Sequence, residues 1–68
     1  MDVKITLNGA SRSVPEGCTV AELIQQLELS SEQVAVELNR AVVRRAVHGD
    51  TQLGSDDVVE VVTRVGGG

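Results

Sequence analysis

The sequence contains no phenylalanine, tyrosine or tryptophan, and it has one cysteine. Without aromatic rings the chain offers no stacking platform for single-stranded nucleic acid. A lone cysteine excludes an internal disulfide, which is consistent with a reducing compartment. The net charge of −4 disfavours phosphate binding. We therefore expect no nucleic acid partner, and a core built from Val, Leu, Ile and Ala.

Long apolar runs are also missing. No stretch approaches the roughly 20 residues that a membrane helix needs, and residues 1–4 do not begin a signal peptide. We expect a cytoplasmic chain with no membrane contact. The 68 residues predict one domain, 1–68, which is a monomer when free. A domain of this size buries only about 60% of its unfolded surface, so we expect no catalytic cleft and no enzyme.

The first third of the chain predicts a β-hairpin followed by a helix. Residues 3–8 alternate apolar and polar, which indicates a half-buried strand. Asn8-Gly9 is a strong two-residue hairpin signal, and residues 10–14 form the returning strand. Thr19 and Glu22 match a capping box. The predicted helix covers residues 20–28, with one apolar face made by Val20, Leu23, Ile24 and Leu27.

The remainder predicts three more strands, at residues 34–38, 41–45 and 58–65, with an irregular segment at 46–53. His48 lies in that polar segment, and we expect a surface residue rather than a catalytic base. Cys18 lies just before the helix. We expect it to pack in the core, and the alternative is a reactive thiol with a lowered pKa.

The last predicted strand is apolar on both faces. Val59 and Val61 form one set, and Val58 and Val62 form the other. One helix can cover only one face of a sheet, so Val58 and Val62, with Ala35 and Ala41 nearby, are predicted on an open face. Exposed apolar residues on such a face indicate a docking surface. Scattered surface valines are the equally weighted alternative.

Three glycines, Gly66, Gly67 and Gly68, follow this strand directly. Glycine has no Cβ, so such a segment could enter a tunnel that admits only backbone. The segment from Arg64 to Gly68 could reach roughly 13–14 Å. The reactive group would then be the α-carboxylate of Gly68. The alternative is a frayed terminus with no role.

These pieces together resemble the ThiS family, bacterial sulfur carriers of thiamine biosynthesis with the ubiquitin-like β-grasp fold. The segments that carry the resemblance cover most of the chain, and they are residues 15–23, 34–39, Val43 with Arg45, and 57–68. The resemblance implies an α+β fold in which a mixed sheet of four to five strands packs one main helix on one face.

The resemblance also implies a function. A ThiF-type adenylating enzyme would use ATP to convert the Gly68 carboxylate to an acyl-adenylate. A cysteine desulfurase or persulfide protein would supply sulfur, and a thiazole synthase would take it from the thiocarboxylate. Residues 66–68 would enter the partner, while Val58, Val62, Arg64 and Val65 would dock against it. No cofactor or metal is implied for the chain itself, since ATP belongs to the partner.

The sequence departs from the family at three places. Arg44 stands where many relatives have proline, Ser55-Asp56-Asp57 replaces a common Asp-Gly-Asp turn, and Arg64 replaces an apolar or aromatic residue. Aspartate tolerates left-handed backbone, so we expect the turn to survive. The Arg44-Arg45 pair could meet an acidic partner patch, with a solvated pair as the default.

Three other functions remain open. The same tail chemistry could deliver sulfur to molybdopterin or cysteine. It could also join the chain to other proteins as a ubiquitin-like modifier. Finally, the domain could be a non-catalytic adaptor whose glycine tail is inert.

Overall fold

The computed structural model describes residues 1–63. Its elements follow in the order β1 (Asp2–Leu7), β2 (Ala10–Pro15), α1 (Val20–Gln26), a first 3-10 helix (Ser31–Gln33), β3 (Val34–Leu38), β4 (Ala41–Val43), a second 3-10 helix (Arg45–Asp50) and β5 (Val58–Thr63). The predicted end of the last strand at Val65 and the glycines 66–68 lie outside the described residues.

The five strands form one mixed sheet in the order β2-β1-β5-β3-β4. The β1–β5 pair is parallel and the other pairs are antiparallel. Helix α1 packs its apolar side on one face of this sheet, and both termini of the described chain lie in central strands. This is the β-grasp architecture, so the predicted fold class is confirmed.

The first hairpin forms as the Asn8-Gly9 signal predicts. Leu7 pairs with Ala10, so the loop has two residues. Both loop residues have positive φ, 49° at Asn8 and 86° at Gly9. Those angles match the twist of the flanking strands.

The helix begins at the predicted capping box. The Glu22 N–H donates to Thr19 Oγ1 at 3.2 Å, and the Thr19 N–H donates to Glu22 Oε1 at 2.9 Å. These bonds satisfy backbone donors that the first turn would otherwise leave free.

The helix ends at Gln26, two residues earlier than predicted. Glu28 takes a left-handed conformation with φ 60°. The N–H of Glu28 then donates to the Gln25 carbonyl at 2.9 Å, and that of Leu29 donates to the Ile24 carbonyl at 3.1 Å. These two bonds form a Schellman cap, which stops the helix by turning the chain away.

The core lies between α1 and the covered face of the sheet. Its buried residues are aliphatic apart from one cysteine, which confirms the predicted burial of Cys18. They are Ile5, Leu7, Val14, Cys18, Val20, Leu23, Ile24, Val34, Val36, Leu53, Val59 and Val61.

Two predictions for residues 41–53 are wrong. The fourth strand ends at Val43 instead of Arg45, and the following segment forms a 3-10 helix instead of an irregular loop. The helix is held by the Val47 N–H, which donates to the Arg44 carbonyl at 2.9 Å. Beyond it, the Val20 N–H donates to the Thr51 carbonyl at 2.8 Å, which ties the segment to the start of α1.

The prediction that His48 lies on the surface is also wrong. The second 3-10 helix turns this side chain inward, where it is 3% exposed. Its Nε2 donates to the Val43 carbonyl at 3.0 Å, and Nδ1 is 3.2 Å from Ser31 Oγ. Because a carbonyl only accepts, the proton of a neutral ring is on Nε2 and the Ser31 hydroxyl donates to Nδ1. His48 therefore joins both 3-10 helices to the end of β4.

Candidate functional site

Strand β5 leads to the predicted glycine tail and is central in the sheet, between β1 and β3. Its two faces differ as the sequence predicts. Val59 and Val61 are buried in the core, whereas Val58 is 45% and Val62 is 62% exposed. Val58 and Val62 therefore lie on the open face, the side of the sheet opposite α1.

The register between strands identifies the other residues of the open face. Val62 pairs with Ala35, and Glu60 pairs with Glu37, which in turn pairs with Val42. Directly paired residues project to the same side of a sheet. On β5, β3 and β4 the open face is thus made by Val58, Glu60, Val62, Ala35, Glu37 and Val42, and Thr6 of β1, which pairs with Val58, lies on the same side.

This register corrects the prediction for Ala41. Ala41 pairs with Leu38, which packs against the core, so Ala41 lies on the helix side of the sheet. Val42 takes its place on the open face and is 72% exposed. The error came from the unknown β3–β4 register, because a shift of one residue in pairing moves a side chain to the opposite face.

A pair of acidic residues, which was not predicted from the sequence, lies at the centre of the open face. Glu37 and Glu60 are exposed and directly opposite each other on β3 and β5. Like charges in this position cost free energy. Alternation placed each glutamate on an outward face, but only the register brings the two together.

Two asparagine side chains form hydrogen bonds with β5, one at the start of the strand and one further along. At the start, the Val58 N–H donates to Asn39 Oδ1 at 2.9 Å, and the Asn39 side-chain amide donates to Asp57 Oδ1 at 3.0 Å. Further along, the Val61 N–H donates to Asn8 Oδ1 at 2.9 Å, and the Asn8 amide donates to the Val61 carbonyl at 3.2 Å.

These side-chain bonds matter because β1 pairs with β5 only at Thr6–Val58 and Leu7–Val59. Beyond that point Asn8 takes the place of a strand neighbour. Across the strand, β3 continues the ladder as far as the Val34–Thr63 pair. The structure therefore fixes β5 up to the last described residue.

The turn before β5 forms despite its departure from the family pattern, as predicted. Asp56 adopts φ 68°, which is the left-handed conformation that glycine favours. The Gly54 N–H donates to Asp57 Oδ2 at 2.7 Å, and the Asp56 N–H donates to the Lys4 carbonyl at 2.8 Å.

Cys18 lies in the core, away from the open face. Burial raises the pKa of its thiol above the ordinary value, and the nearby Glu22 carboxylate raises it further. The alternative of a thiol with a lowered pKa is therefore wrong. A buried, protonated thiol is a poor nucleophile.

Residues 1–63 contain neither a metal-binding cluster nor a membrane-spanning helix. No three His, Cys, Asp or Glu side chains converge there in a metal-binding arrangement. None of the helices there has the length and apolar composition that crossing a membrane requires.

The family model for the ThiS family matches residues 5–68. The chain belongs to the ThiS family. A crystal structure of the thiamine biosynthesis protein ThiS from Geobacter metallireducens superposes with a TM-score of 0.81 and 35% identity. The match covers 97% of this chain and 100% of that one.

Two curated relatives extend this comparison. The ycf40 protein of Porphyra purpurea is 30% identical over 98% of this chain and 94% of its own length. A thiazole synthase of Magnetococcus marinus is 44% identical over 97% of this chain. This ThiS-family chain spans only 20% of the length of that synthase.

The structure thus brings two predicted docking residues, Val58 and Val62, onto the open face of β5. The other predicted site residues are Arg64, Val65, Gly66, Gly67 and Gly68, and they lie outside the described residues. Their roles in docking, tail insertion and sulfur transfer stay predictions.

Proposed function

We propose that this ThiS-family chain is a sulfur carrier of thiamine biosynthesis and that Gly68 carries the sulfur. The observation that carries the proposal is the family match, because it extends through residue 68 and so includes the glycine segment. The chain does no catalysis in this account. It is the substrate of one enzyme and the sulfur donor of another.

Activation is required because a carboxylate is a poor electrophile. A carboxylate oxygen of Gly68 attacks the α-phosphorus of ATP on a ThiF-type enzyme, and pyrophosphate leaves. A persulfide sulfur, supplied by a cysteine desulfurase or a persulfide protein, then attacks the acyl carbon and AMP leaves. The product is an acyl disulfide between Gly68 and the donor. A thiol then attacks the donor's sulfur, which releases the Gly68 thiocarboxylate and leaves a disulfide between the thiol and the donor.

The anchoring of β5 supports this use of the tail. Hydrogen bonds from Asn8 and the pairing of Thr63 with Val34 hold the strand up to the point where the tail begins. A fixed starting point reduces the conformational entropy that a partner must overcome when it binds the tail. Residues 66–68 carry no side chains, so a narrow tunnel could accept them.

The open face supports docking beside the tail. Val62 pairs with Ala35 across β5 and β3, Val42 of β4 lies diagonally from Ala35 beside Glu37, and Val58 lies further back on β5. We propose that these apolar residues pack against the activating enzyme, with Arg64 and Val65 at the mouth of its tunnel. Exposed apolar surface that forms a contiguous patch commonly marks such an interface.

A thiazole synthase is the proposed acceptor of the sulfur. Support comes from the Magnetococcus marinus synthase, in which a segment similar to this chain is part of the same polypeptide. Covalent linkage raises the effective concentration of one domain at the other. We propose that the separate chain makes the corresponding contact by non-covalent docking.

The test is ATP–pyrophosphate exchange catalysed by the ThiF-type enzyme of the same genome, with wild-type chain as substrate. We expect exchange that depends on the chain and is abolished when Gly67 and Gly68 are deleted. The matched control is deletion of Met1 alone, which leaves the tail intact. If the exchange rate is unchanged by the tail deletion, the result would instead support an adaptor with an inert tail.

Sulfur delivery separates the pathways that share this activation. The thiocarboxylate form should support thiazole formation by the thiazole synthase. Transfer to a molybdopterin or cysteine precursor in its place would reassign the carrier. An isopeptide bond from Gly68 to a lysine of another protein would indicate a modifier.

A further inference from the structure

A groove opens at the end of the sheet where β4 separates from β3. The last pair between these strands is Val36–Val43, after which the chain leaves β4 at Arg44. Within residues 1–63, Val34 and Ala35 therefore have no strand partner on the β4 side. The space beside them has a volume of about 370 Å³, and the two 3-10 helices contribute its other walls.

The groove is apolar at its floor and basic at its rim. Val34, Val36 and Val43 line the floor, while the exposed Arg44 and Arg45 line the rim. The only carboxylate among its lining residues in the described chain is Glu32. In a chain with net charge −4 and six basic residues, two adjacent arginines at one groove are a local reversal of charge.

His48 lines this groove and links two of its walls. Its two ring nitrogens are already used by the Val43 carbonyl and the Ser31 hydroxyl. The side chain thus links the second 3-10 helix to the first 3-10 helix and to the end of β4. Recognition of a ligand falls to the arginines, whose guanidinium groups bind carboxylates through two parallel hydrogen bonds.

The groove lies at the end of the sheet where β5 finishes. Val34, a floor residue, pairs with Thr63, and Ala35 pairs with Val62 of the open face. Neighbouring strands are about 4.8 Å apart, so the β4 side of the groove is roughly 10 Å from β5. Measured from Thr63, the segment that ends at Gly68 reaches at most about 18 Å.

This geometry limits where a partner can be. An enzyme that binds the carboxylate of Gly68 must bring its surface close to Thr63 because the tail is short. The same surface then lies beside the groove, which is continuous with the open face through Ala35 and Val42. In the sequence, a further basic residue, Arg64, follows Thr63.

We propose that the groove docks an acidic segment of the adenylating enzyme, in which carboxylate side chains pair with Arg44 and Arg45. This inference rests on the proposed function, since it assumes that an enzyme takes the Gly68 tail. The apolar floor accepts the aliphatic part of that segment. The arginines steer the two proteins together and fix the register of docking.

The experiment measures ATP–pyrophosphate exchange with the ThiF-type enzyme and single variants Arg44→Glu and Arg45→Glu. Lys4→Glu is the matched control, because it makes the same charge change on β1 at the opposite end of the sheet. Arg44→Gln and Arg45→Gln remove each charge without reversing it. Thermal unfolding followed by circular dichroism checks that every variant folds.

We expect the KM for the carrier to rise roughly tenfold in the charge-reversal variants at low ionic strength, with kcat unchanged. The rise should be smaller in the Gln variants and should shrink as salt is added. An equal KM for the arginine variants and Lys4→Glu would overturn the proposal. A rise in the KM for ATP instead would also overturn it, in favour of a nucleotide phosphate in the groove.

Failure of the proposed function would look different. In that case wild-type chain would give no exchange at all, whatever the residue at position 44 or 45. If exchange depends on the tail but its KM is unchanged by substitution of either arginine, the proposed function stands and only docking through the groove is rejected.

Discussion

The side-chain amide of Asn8 binds both backbone polar groups of Val61, since it donates to the carbonyl and accepts from the N–H. The two residues are 53 positions apart, and Asn8 also forms the first residue of the β1–β2 turn. One asparagine therefore closes the first hairpin and fixes the last strand. Because this contact fixes the end of β5, we infer that it helps to present the tail.

Replacing Asn8 by glycine should separate these two roles. Glycine tolerates the φ of 49° at this position, so the turn should survive while both bonds to Val61 are lost. We expect a loss of about 1–2 kcal/mol in the free energy of unfolding, measured by chemical denaturation. Hydrogen exchange of the Val61 amide should accelerate. Asn8→Asp, which keeps the acceptor, should lose less, and equal stability of Asn8→Gly and wild type would contradict this role.

The C-terminal cap of α1 predicts a stabilising substitution. Glu28 holds φ 60°, where a residue with a Cβ is strained. Glu28→Gly should therefore raise the free energy of unfolding by about 1 kcal/mol. The matched control is Gln25→Gly in the helix, which should lower it by a similar amount. A loss of stability in both variants would mean that Glu28 makes a compensating contact.

His48 should be a structural residue. His48→Ala would leave the partly buried Val43 carbonyl without its donor and would open a space between the 3-10 helices. We expect a loss of about 2–3 kcal/mol in the free energy of unfolding. Asp50→Ala on the same 3-10 helix is exposed and should change stability by no more than about 0.5 kcal/mol. A His48→Ala variant as stable as Asp50→Ala would refute this role.

Stability should fall at alkaline pH because of Cys18. The pKa of its thiol is raised in the folded chain by burial and by Glu22. The contribution is fully present below the unfolded pKa, about 8.5. Above that pH the unfolded chain loses the proton while the folded chain keeps it, so the free energy of unfolding decreases.

Cys18→Val provides the comparison, because valine fills the site and does not titrate. Denaturation between neutral and alkaline pH should show a steeper decline for wild type than for the variant. The chain has no tyrosine and one lysine, so few other groups titrate in this range. Parallel pH profiles would show that the Cys18 thiol does not govern the decline.

The open face predicts a docking variant. Val62→Glu places a carboxylate at a site that is 62% exposed, so the fold should be kept. We expect the KM for the carrier in ATP–pyrophosphate exchange to rise roughly tenfold, because the charge would be desolvated at the interface. Gln25→Glu adds the same charge at an exposed position of α1, on the other side of the sheet, and as the control it should leave KM unchanged. Normal activation of Val62→Glu would refute docking through this face.

The sequence was most informative where structure is determined locally. Alternation predicted the strands, and the Thr19–Glu22 box predicted the start of the helix. Asn8-Gly9 predicted the first turn. The division of β5 into buried and exposed valines also followed from alternation, and this positioned Val58 and Val62 of the candidate site.

The misses occurred where distant residues determine the local structure. His48 is buried because Ser31, 17 positions away, and Val43 bind its ring, and no pattern within residues 46–53 indicates this. The opposition of Glu37 and Glu60 depends on the β3–β5 register. Alternation along one strand cannot give that register, and the same limit explains the wrong face for Ala41.

The central claim is that Gly68 carries sulfur, and mass measurement tests it most directly. The chain is incubated with ATP, the ThiF-type enzyme and a persulfide donor, and then cleaved after Glu60. The fragment from Val61 to Gly68 contains neither Met1 nor Cys18, so oxidation of those residues cannot imitate the exchange of oxygen for sulfur. The account predicts a fragment in which one oxygen of Gly68 is replaced by sulfur, and an unchanged carboxylate on an active enzyme would contradict it.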